Sequence, residues 1–272
     1  MSLAHGHKGH GPGGWWKFRL GPMPSGVDRP SVHPPNDPGI HPPTEQYIQA
    51  ISNLADEGAP VIQARLAERV GHSAPTVSEM VHRLRDAGLV ELNGHALALT
   101  GSGRELAARV VRKHRLAERL LSDVIGLAWH KVYAEAYRWE HVISDEVEEL
   151  MVEVLGHPTT CPHGYPIPGS GFEPVPTSLL ADAKVGDRVR LNRVMEMVNF
   201  DAKALIYLEE HNFLPGCEAT VIAQGPDSSL VLEVGDTTVV MGTSLAELLW
   251  VTSADGPDDR AKVIALRAKA RR

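Results

Sequence analysis

The chain has 272 residues, 43% of them hydrophobic and 22% charged, which suits about two compact domains and excludes disorder throughout. Two cysteines, Cys161 and Cys217, are too few for a disulfide framework or a thiolate zinc site, and no signal-peptide pattern or membrane-length apolar run is present; a soluble, cytoplasmic protein without a membrane partner is expected. The net charge of −7 argues mildly against a nucleic-acid partner, although charge acts only where it sits.

Residues 1–43 carry His5, His7, His10, His33 and His41 among many prolines and glycines. They read as a flexible arm, with Trp15, Trp16 and Phe18 as its apolar patch. Its histidines either hold metal ions or belong to a solvated tail. From Thr44 the pattern becomes helical: Tyr47, Ile48, Ile51 and Leu54 share one face before Gly58. A second helix is predicted over Val61–Val70 and ends at Gly71; a third starts at Ser73, a good N-cap, with Pro75 in its first turn, and reads through to Gly88. Leu89–Leu92 and Ala96–Leu99 flank Asn93-Gly94-His95, a hairpin signal.

Three short helices and a hairpin are the order of a winged helix-turn-helix, a unit that binds DNA or serves as a protein-interaction module. Ser73, Ala74, Pro75, Thr76 and Ser78 at the start of the third helix are small or polar, which lets that helix end approach a phosphate or base edge. Ser102-Gly103-Arg104-Glu105 has capping-box spacing and predicts a long helix to about Ile125, whose outer face reads as basic through Arg104, Arg109, Arg112, Lys113, Arg115 and Arg119. A further helix spans about Lys131–Leu155, interrupted near Trp139 and ended by Gly156.

His114 and Glu118 are four apart on the first long helix, within reach of one divalent cation, and Glu140 and His141 are adjacent on the second. Imidazoles with carboxylates suit Fe²⁺, Mn²⁺ or Zn²⁺. The same i,i+4 pair also occurs as a plain surface hydrogen bond.

Three stretches, Arg112-Lys113-His114-Arg115-Leu116-Ala117-Glu118-Arg119-Leu120-Leu121, Arg138-Trp139-Glu140-His141-Val142-Ile143-Ser144-Asp145-Glu146-Val147-Glu148 and Cys161-Pro162-His163-Gly164-Tyr165-Pro166-Ile167-Pro168-Gly169, resemble signature segments of the diphtheria-toxin-repressor family of metal-dependent transcriptional repressors. The similarity spans about Pro43–Val251 and includes Ala64–Arg69 and Pro75–Ser78. It implies a mainly α protein with small β parts: a winged helix-turn-helix over 44–106, a helical metal-binding and dimerisation domain over 107–176 and an SH3-like, FeoA-type β-barrel over 177–253; by composition residues 254–272 read as a basic tail that either adds phosphate contacts or only solubilises. The alternating stretches Val185–Leu191, Leu214–Ile222, Leu230–Val234 and Thr237–Met241, with a short helix at Asp201–His211, agree with the barrel.

Position by position, the resemblance places His114 and Glu118 in an ancillary metal site, with Tyr133 where the family has histidine and Asp201 and Ala204 at the barrel's contributions. Glu140 and His141 fall in the primary site, with Gln46 at the family's methionine position and Tyr137 at its cysteine position. The expected ligands are therefore His114, Glu118, Glu140, His141 and Asp201, with Gln46, Tyr133 and Tyr137 as altered positions, for Fe²⁺ or Mn²⁺ at reduced affinity. On DNA the resemblance implies contacts from Ser73, Pro75, Thr76, Ser78 and Glu79, the last in place of glutamine; a carboxylate there can accept from a cytosine amino group or pair with Arg83 at i+4. Arg65, Arg83 and the backbone N–H groups at the Ser73 helix start are the expected phosphate anchors. Residues 44–106 hold five arginines against eight acidic residues, a balance of −3, so operator binding is expected to be weak without metal. The expected function is a homodimeric, divalent-metal-dependent repressor on a pseudo-palindromic operator. The alternatives are a regulator with lost or altered metal sensing and a metal-handling or interaction protein that does not bind DNA. An enzyme is not expected, since no nucleophile–base pair or phosphate-binding glycine loop is visible.

Overall fold

The structure, a computed structural model, describes residues 42–254. The His-rich arm up to His41 and the basic tail from Asp255 lie outside the described residues, while Pro42 and Pro43, assigned to the arm by composition, open the first helix.

Helices α1 (Pro42–Asp56), α2 (Gln63–Val70) and α3 (Ala74–Asp86) are followed by the antiparallel hairpin β1 (Val90–Asn93) and β2 (Ala96–Leu99). Gly71, left-handed at φ 68°, closes α2, and the Ser73 hydroxyl accepts from the Thr76 amide to open α3. Asn93 pairs with Ala96, which leaves a two-residue turn with Gly94 at φ 65°. Tyr47, Ile48, Ile51, Leu66, Val77, Val81 and Leu84 form this unit's core with Val90 and Leu97.

Helix α4 (Gly101–Arg119) starts two residues earlier than the capping-box reading: its N-cap is Thr100 rather than Ser102, and the Thr100 hydroxyl accepts from Gly103 N and donates to Gly88 O. The hairpin end makes that choice, because Thr100 N is already bonded to Leu89 O. Leu106 and Val110 of α4 lie in the winged-helix core, while Leu116 and Ala117 belong to a second core with Leu121, Val132, Ala136, Met151 and Leu155. After Arg119 the helix widens into a π-turn, Leu120–Ile125, closed by Gly126. The second long helix is two: α5 (Trp129–Trp139) and α6 (Asp145–Leu155), the latter capped by Ser144.

Residues 178–253 form a six-stranded antiparallel sheet in the order β3-β8-β4-β5-β6-β7, with β3 (Ser178–Leu179), β4 (Arg188–Val194), β5 (Glu218–Gln224), β6 (Leu230–Val234), β7 (Thr237–Met241) and β8 (Leu249–Ser253). Helix α7 (Ala202–Glu210) and the short α8 (Thr243–Ala246) complete it. Register shifts in β4 and β5 bend the sheet around Leu191, Val221, Leu232 and Phe213. Trp129 at the start of α5 is buried in this third core. No described helix is long and apolar enough to cross a membrane.

Arg104 and Arg109 of α4 are exposed, as expected of a basic outer face, but the three later arginines do not continue it. Arg112 donates to Pro168 O at 2.6 Å, Arg115 to Pro166 O, and Arg119 to Thr160 O and Cys161 O at 2.6 and 3.1 Å. They strap the segment after α6 onto α4, and Arg115 is buried. The turn at Gly164 (φ 93°) is then pressed on β4: a Cβ there would lie 2.1 Å from Asn192 O, and Val194 N donates to His163 O at 3.0 Å.

Gly103 is constrained as tightly, since a Cβ would meet Leu89 O at 2.0 Å. Gly103→Ala is expected to destabilise the wing–α4 junction by about 1–3 kcal/mol, the range for overpacking a close contact. Urea unfolding checks this, and an unchanged midpoint would show that the wing yields freely.

Candidate metal centre

Three elements carry side chains into the space between the winged helix and the helical core. Helix α4 supplies His114 and Glu118 from its inner face, α5 ends at Trp139 with Glu140 as its C-cap and His141 next, and α1 supplies Glu45 and Gln49. Glu140 is the hub of the first cluster. Its Oε2 accepts from Gln49 at 3.0 Å and lies 2.6 Å from His114 Nδ1, while its Oε1 lies 3.3 Å from His141 Nε2. His141 Nδ1 bonds Glu45. His114, Glu118 and Glu140 are all buried.

His114 stands between two carboxylates, with Nε2 3.6 Å from Glu118 Oε1. Burial opposes its charge, but Glu118 and Glu140 outweigh that and push its pKa up to about 10. Glu118 is held well below the usual carboxylate range, against burial, by His163 and His114. For His141 the bond to Glu45 outweighs burial and raises its pKa. His114 Nε2, His163 Nε2 and Glu140 Oε1 are buried without a hydrogen-bond partner, and orphaned imidazole nitrogens beside a carboxylate oxygen are the donors a divalent cation takes. The residues present therefore fit such an ion.

The remaining expected ligands are placed differently. Gln46 and Tyr137 are hydrogen-bonded to each other, and both line a cavity of about 400 Å³ with Gln49, Asn53 and Arg69. Tyr133 packs edge-on to His114, 4.8 Å between ring centres, and donates to Glu196 Oε1 at 3.2 Å. Asp201 is exposed and caps α7, accepting from Lys203 N and Ala204 N at 3.0 and 3.1 Å. The carboxylate that the barrel brings to this region is Glu196, in the 3-10 turn after β4. Glu196 accepts from Asn53 at 2.6 Å and pairs with Arg69 at 2.9 Å. Burial raises its pKa to about 7 despite Arg69 and Arg115. Glu45, Gln49, Glu196 and His163 were missed as site residues by sequence reasoning. Glu45 and Gln49 flank the altered position Gln46, one and three residues away, a signal that could have found them; Glu196 lies in no quoted motif.

Ser73, Pro75, Thr76, Glu79 and Arg83 are exposed and Ser78 half-buried along α3. Among the described residues no ion pair joins Glu79 to Arg83, so the carboxylate faces solvent. Arg65 pairs with Glu68 at 2.8 Å, both exposed.

Comparison with known proteins agrees with this layout. Residues 40–96 match the iron dependent repressor N-terminal DNA binding domain, residues 100–169 the iron dependent repressor metal binding and dimerisation domain, and residues 179–253 the FeoA domain. The chain is 45% identical over 192 residues to the iron-dependent repressor IdeR of Mycobacterium tuberculosis, covering 65% of this chain and 83% of that one. It is 40% identical over 223 residues to the diphtheria toxin repressor of Corynebacterium efficiens, covering 78% and 96%. A manganese-dependent transcriptional repressor solved in complex with manganese superposes with a TM-score of 0.68 at 33% identity, covering 77% of this chain and 99% of that chain.

Cation binding must displace the protons on His114 and His141, whose pKa values are raised. Affinity for Mn²⁺ is therefore expected to climb between about pH 6 and about pH 8, up to about tenfold per pH unit for each proton released. Calorimetry in two buffers of different ionisation enthalpy counts those protons; a pH-independent affinity would show the imidazoles neutral. In the metal-free fold the stabilisation from His114 is present below its unfolded pKa near 6.5 and lost only as pH rises through about 10.

Proposed function

Because this chain belongs to the iron-dependent repressor family, we propose that its buried imidazole–carboxylate cluster is the sensor that couples a divalent cation to operator binding. The protein is a metal-dependent, DNA-binding transcriptional repressor, and Fe²⁺ or Mn²⁺ suits its oxygen and nitrogen donors. The observation that supports this coupling is that Glu45 and Gln49 of α1, the first helix of the DNA-reading unit, bond His141 and Glu140 at the end of α5.

His114, Glu118, Glu140 and His141 hold the cation, with Glu45 and Gln49 as the contribution of α1. The cation supplies positive charge to carboxylates that burial would otherwise leave underpaired. The protein's own residues do the rest. Gln49 and Glu45 hold α1 against α5; α1 packs on α2 and on β2 of the wing, and α2 packs on α3, so the orientation of α3 follows that of α1. Ser73, Pro75, Thr76, Ser78 and Glu79 then face base edges, with Arg65 and Arg83 on phosphates.

The homodimer forms through an apolar face left open in the helical core. Val147, Leu150 and Val154 of α6, spaced on one face, are exposed, as are Val142 just before α6 and Val124 and Ile125 at the end of the π-turn. Two copies joined there present two α3 helices to a pseudo-palindrome.

One observation favours a second reading, a regulator ordered without metal: His114–Glu140 and His141–Glu45 hydrogen bonds already tie the three helices. A gel shift on a selected operator separates the two. Chelation is expected to weaken binding by about tenfold to a hundredfold, the usual size of such coupling, and equal affinity in chelator would favour the second reading. Leu150→Glu is expected to give a monomer by light scattering and to lose operator affinity; a dimer that persists would place the interface elsewhere.

A further inference from the structure

The cavity of about 400 Å³ beside the metal cluster has walls of a different chemistry from the cluster itself. Four elements supply them: α1 and α2 of the DNA-reading unit, α5, and the 3-10 turn Glu196–Phe200 of the barrel. The cavity runs from the exposed Arg138 to the buried Gln49 and Asn53. Its volume falls at the lower end of the range of about 300–1,000 Å³ for small-molecule pockets. A bare cation would leave nearly all of it empty.

The wall suits an anion and not a metal ion. Among the described residues no aspartate, glutamate, histidine or cysteine lines it, whereas two arginines do. Divalent cations take carboxylate, imidazole or thiolate donors and are repelled by guanidinium groups. Arg138 donates to Glu135 at 2.6 Å through one N–H, and Arg69 donates to Glu57 and Glu196 through its two terminal nitrogens. A guanidinium has more N–H groups than those bonds take up, so both arginines can bind a planar carboxylate.

The rest of the lining describes the body of the ligand. Tyr133 and Tyr137, one turn apart on α5, border the same space with Ala50 and Val70 and supply flat, apolar surface. The far wall is amide. Gln49 and Asn53 give their N–H groups to Glu140 and Glu196, and Asn199 has its Oδ1 buried without a hydrogen-bond partner. Amide oxygens left in this state call for a ligand that carries a hydroxyl donor.

We propose that this cavity binds a small aromatic hydroxy-acid. Its carboxylate lies toward Arg138 and Arg69, its ring against Tyr133 and Tyr137, and its hydroxyl toward the amides. A ligand so placed touches the DNA-reading unit, α5 and the barrel at once, and favours the arrangement in which α1 is held on α5. The acid is then a co-effector of the cation. That consequence rests on the metal-coupled reading above, whereas occupancy of the cavity does not.

The test uses full-length protein freed of metal on a chelating resin. The probe is 4-hydroxybenzoate, whose two polar groups stand too far apart to chelate a cation, and the control is its neutral analogue 4-hydroxybenzamide. Calorimetry is expected to give a Kd of about 1 mM or below for the acid, a modest demand on a ligand of about ten non-hydrogen atoms. The amide should bind at least about tenfold more weakly, a difference that Arg138→Gln should remove. Ala134 is exposed on the cavity's rim, so Ala134→Trp should close the mouth and abolish binding. Circular dichroism and an unchanged Mn²⁺ affinity would confirm that variant's fold and cluster. No saturation up to about 10 mM, equal affinity for acid and amide, or binding that survives Ala134→Trp overturns the site. In gel shifts at saturating Mn²⁺ the acid should strengthen operator binding by at least about fivefold, the lower end of such coupling. Binding without that gain overturns the co-effector step alone, whereas Arg138-dependent binding in a protein whose operator affinity ignores Mn²⁺ upholds the site while the metal reading fails.

Discussion

Glu118 and Glu140 are carboxylates withdrawn from water, and the arrangement of the centre follows from the need to neutralise them. An unpaired buried carboxylate costs on the order of several kcal/mol even after relaxation. Here each has an imidazole within hydrogen-bond distance, His163 for Glu118 and His114 for Glu140. His114 is shared, so the two carboxylates are coupled through one ring. Those partners come from α4, from the end of α5 and from the strapped segment, with Gln49 and Glu45 arriving from α1. Holding the charges therefore forces the DNA-reading unit, the helical core and the segment leading to the barrel into one place.

The arginines of α4 serve the same constraint from the other side. His114 and Glu118 point inward, while Arg112, Arg115 and Arg119, at neighbouring helical positions, end on backbone carbonyls of residues 160–168. Charge-assisted bonds to carbonyls are among the stronger ones available to a protein, and they spend these cations inside the fold. Arg69 is committed likewise, to Glu57 at 2.6 Å and Glu196 at 2.9 Å. The DNA-reading unit is thus poorer in available positive charge than its arginine count suggests, which gives the acidic balance of that region a structural cause.

Local signals were legible in the sequence where they depend on neighbours along the chain. Ser73 and Pro75 announce α3, the Asn93-Gly94 turn announces the wing, and the spacings of His114 with Glu118 and Glu140 with His141 announce two ligating faces. What was not legible depends on long-range partners. Glu196 enters the centre because β4 ends against Tyr165, whose hydroxyl accepts from Glu196 N at 3.0 Å, and Asp201 is drawn off to cap α7. His163 meets Glu118 across 45 residues of chain, on a segment that the α4 arginines strap in place. The direction in which Arg112, Arg115 and Arg119 point is likewise invisible to a count of charges.

Helix α4 crosses two cores without a break, from Gly101 beside the wing to Arg119 beside the strapped segment. At 1.5 Å per residue its wing end lies roughly 20 Å from His114. A rigid rod of that length converts rotation into displacement: a tilt of about 5° at the His114 pivot swings the far end by roughly 2 Å, more than the tolerance of a hydrogen bond. The helix is therefore geared, and small angular changes where ions would sit become ångström-scale steps where a groove would be read.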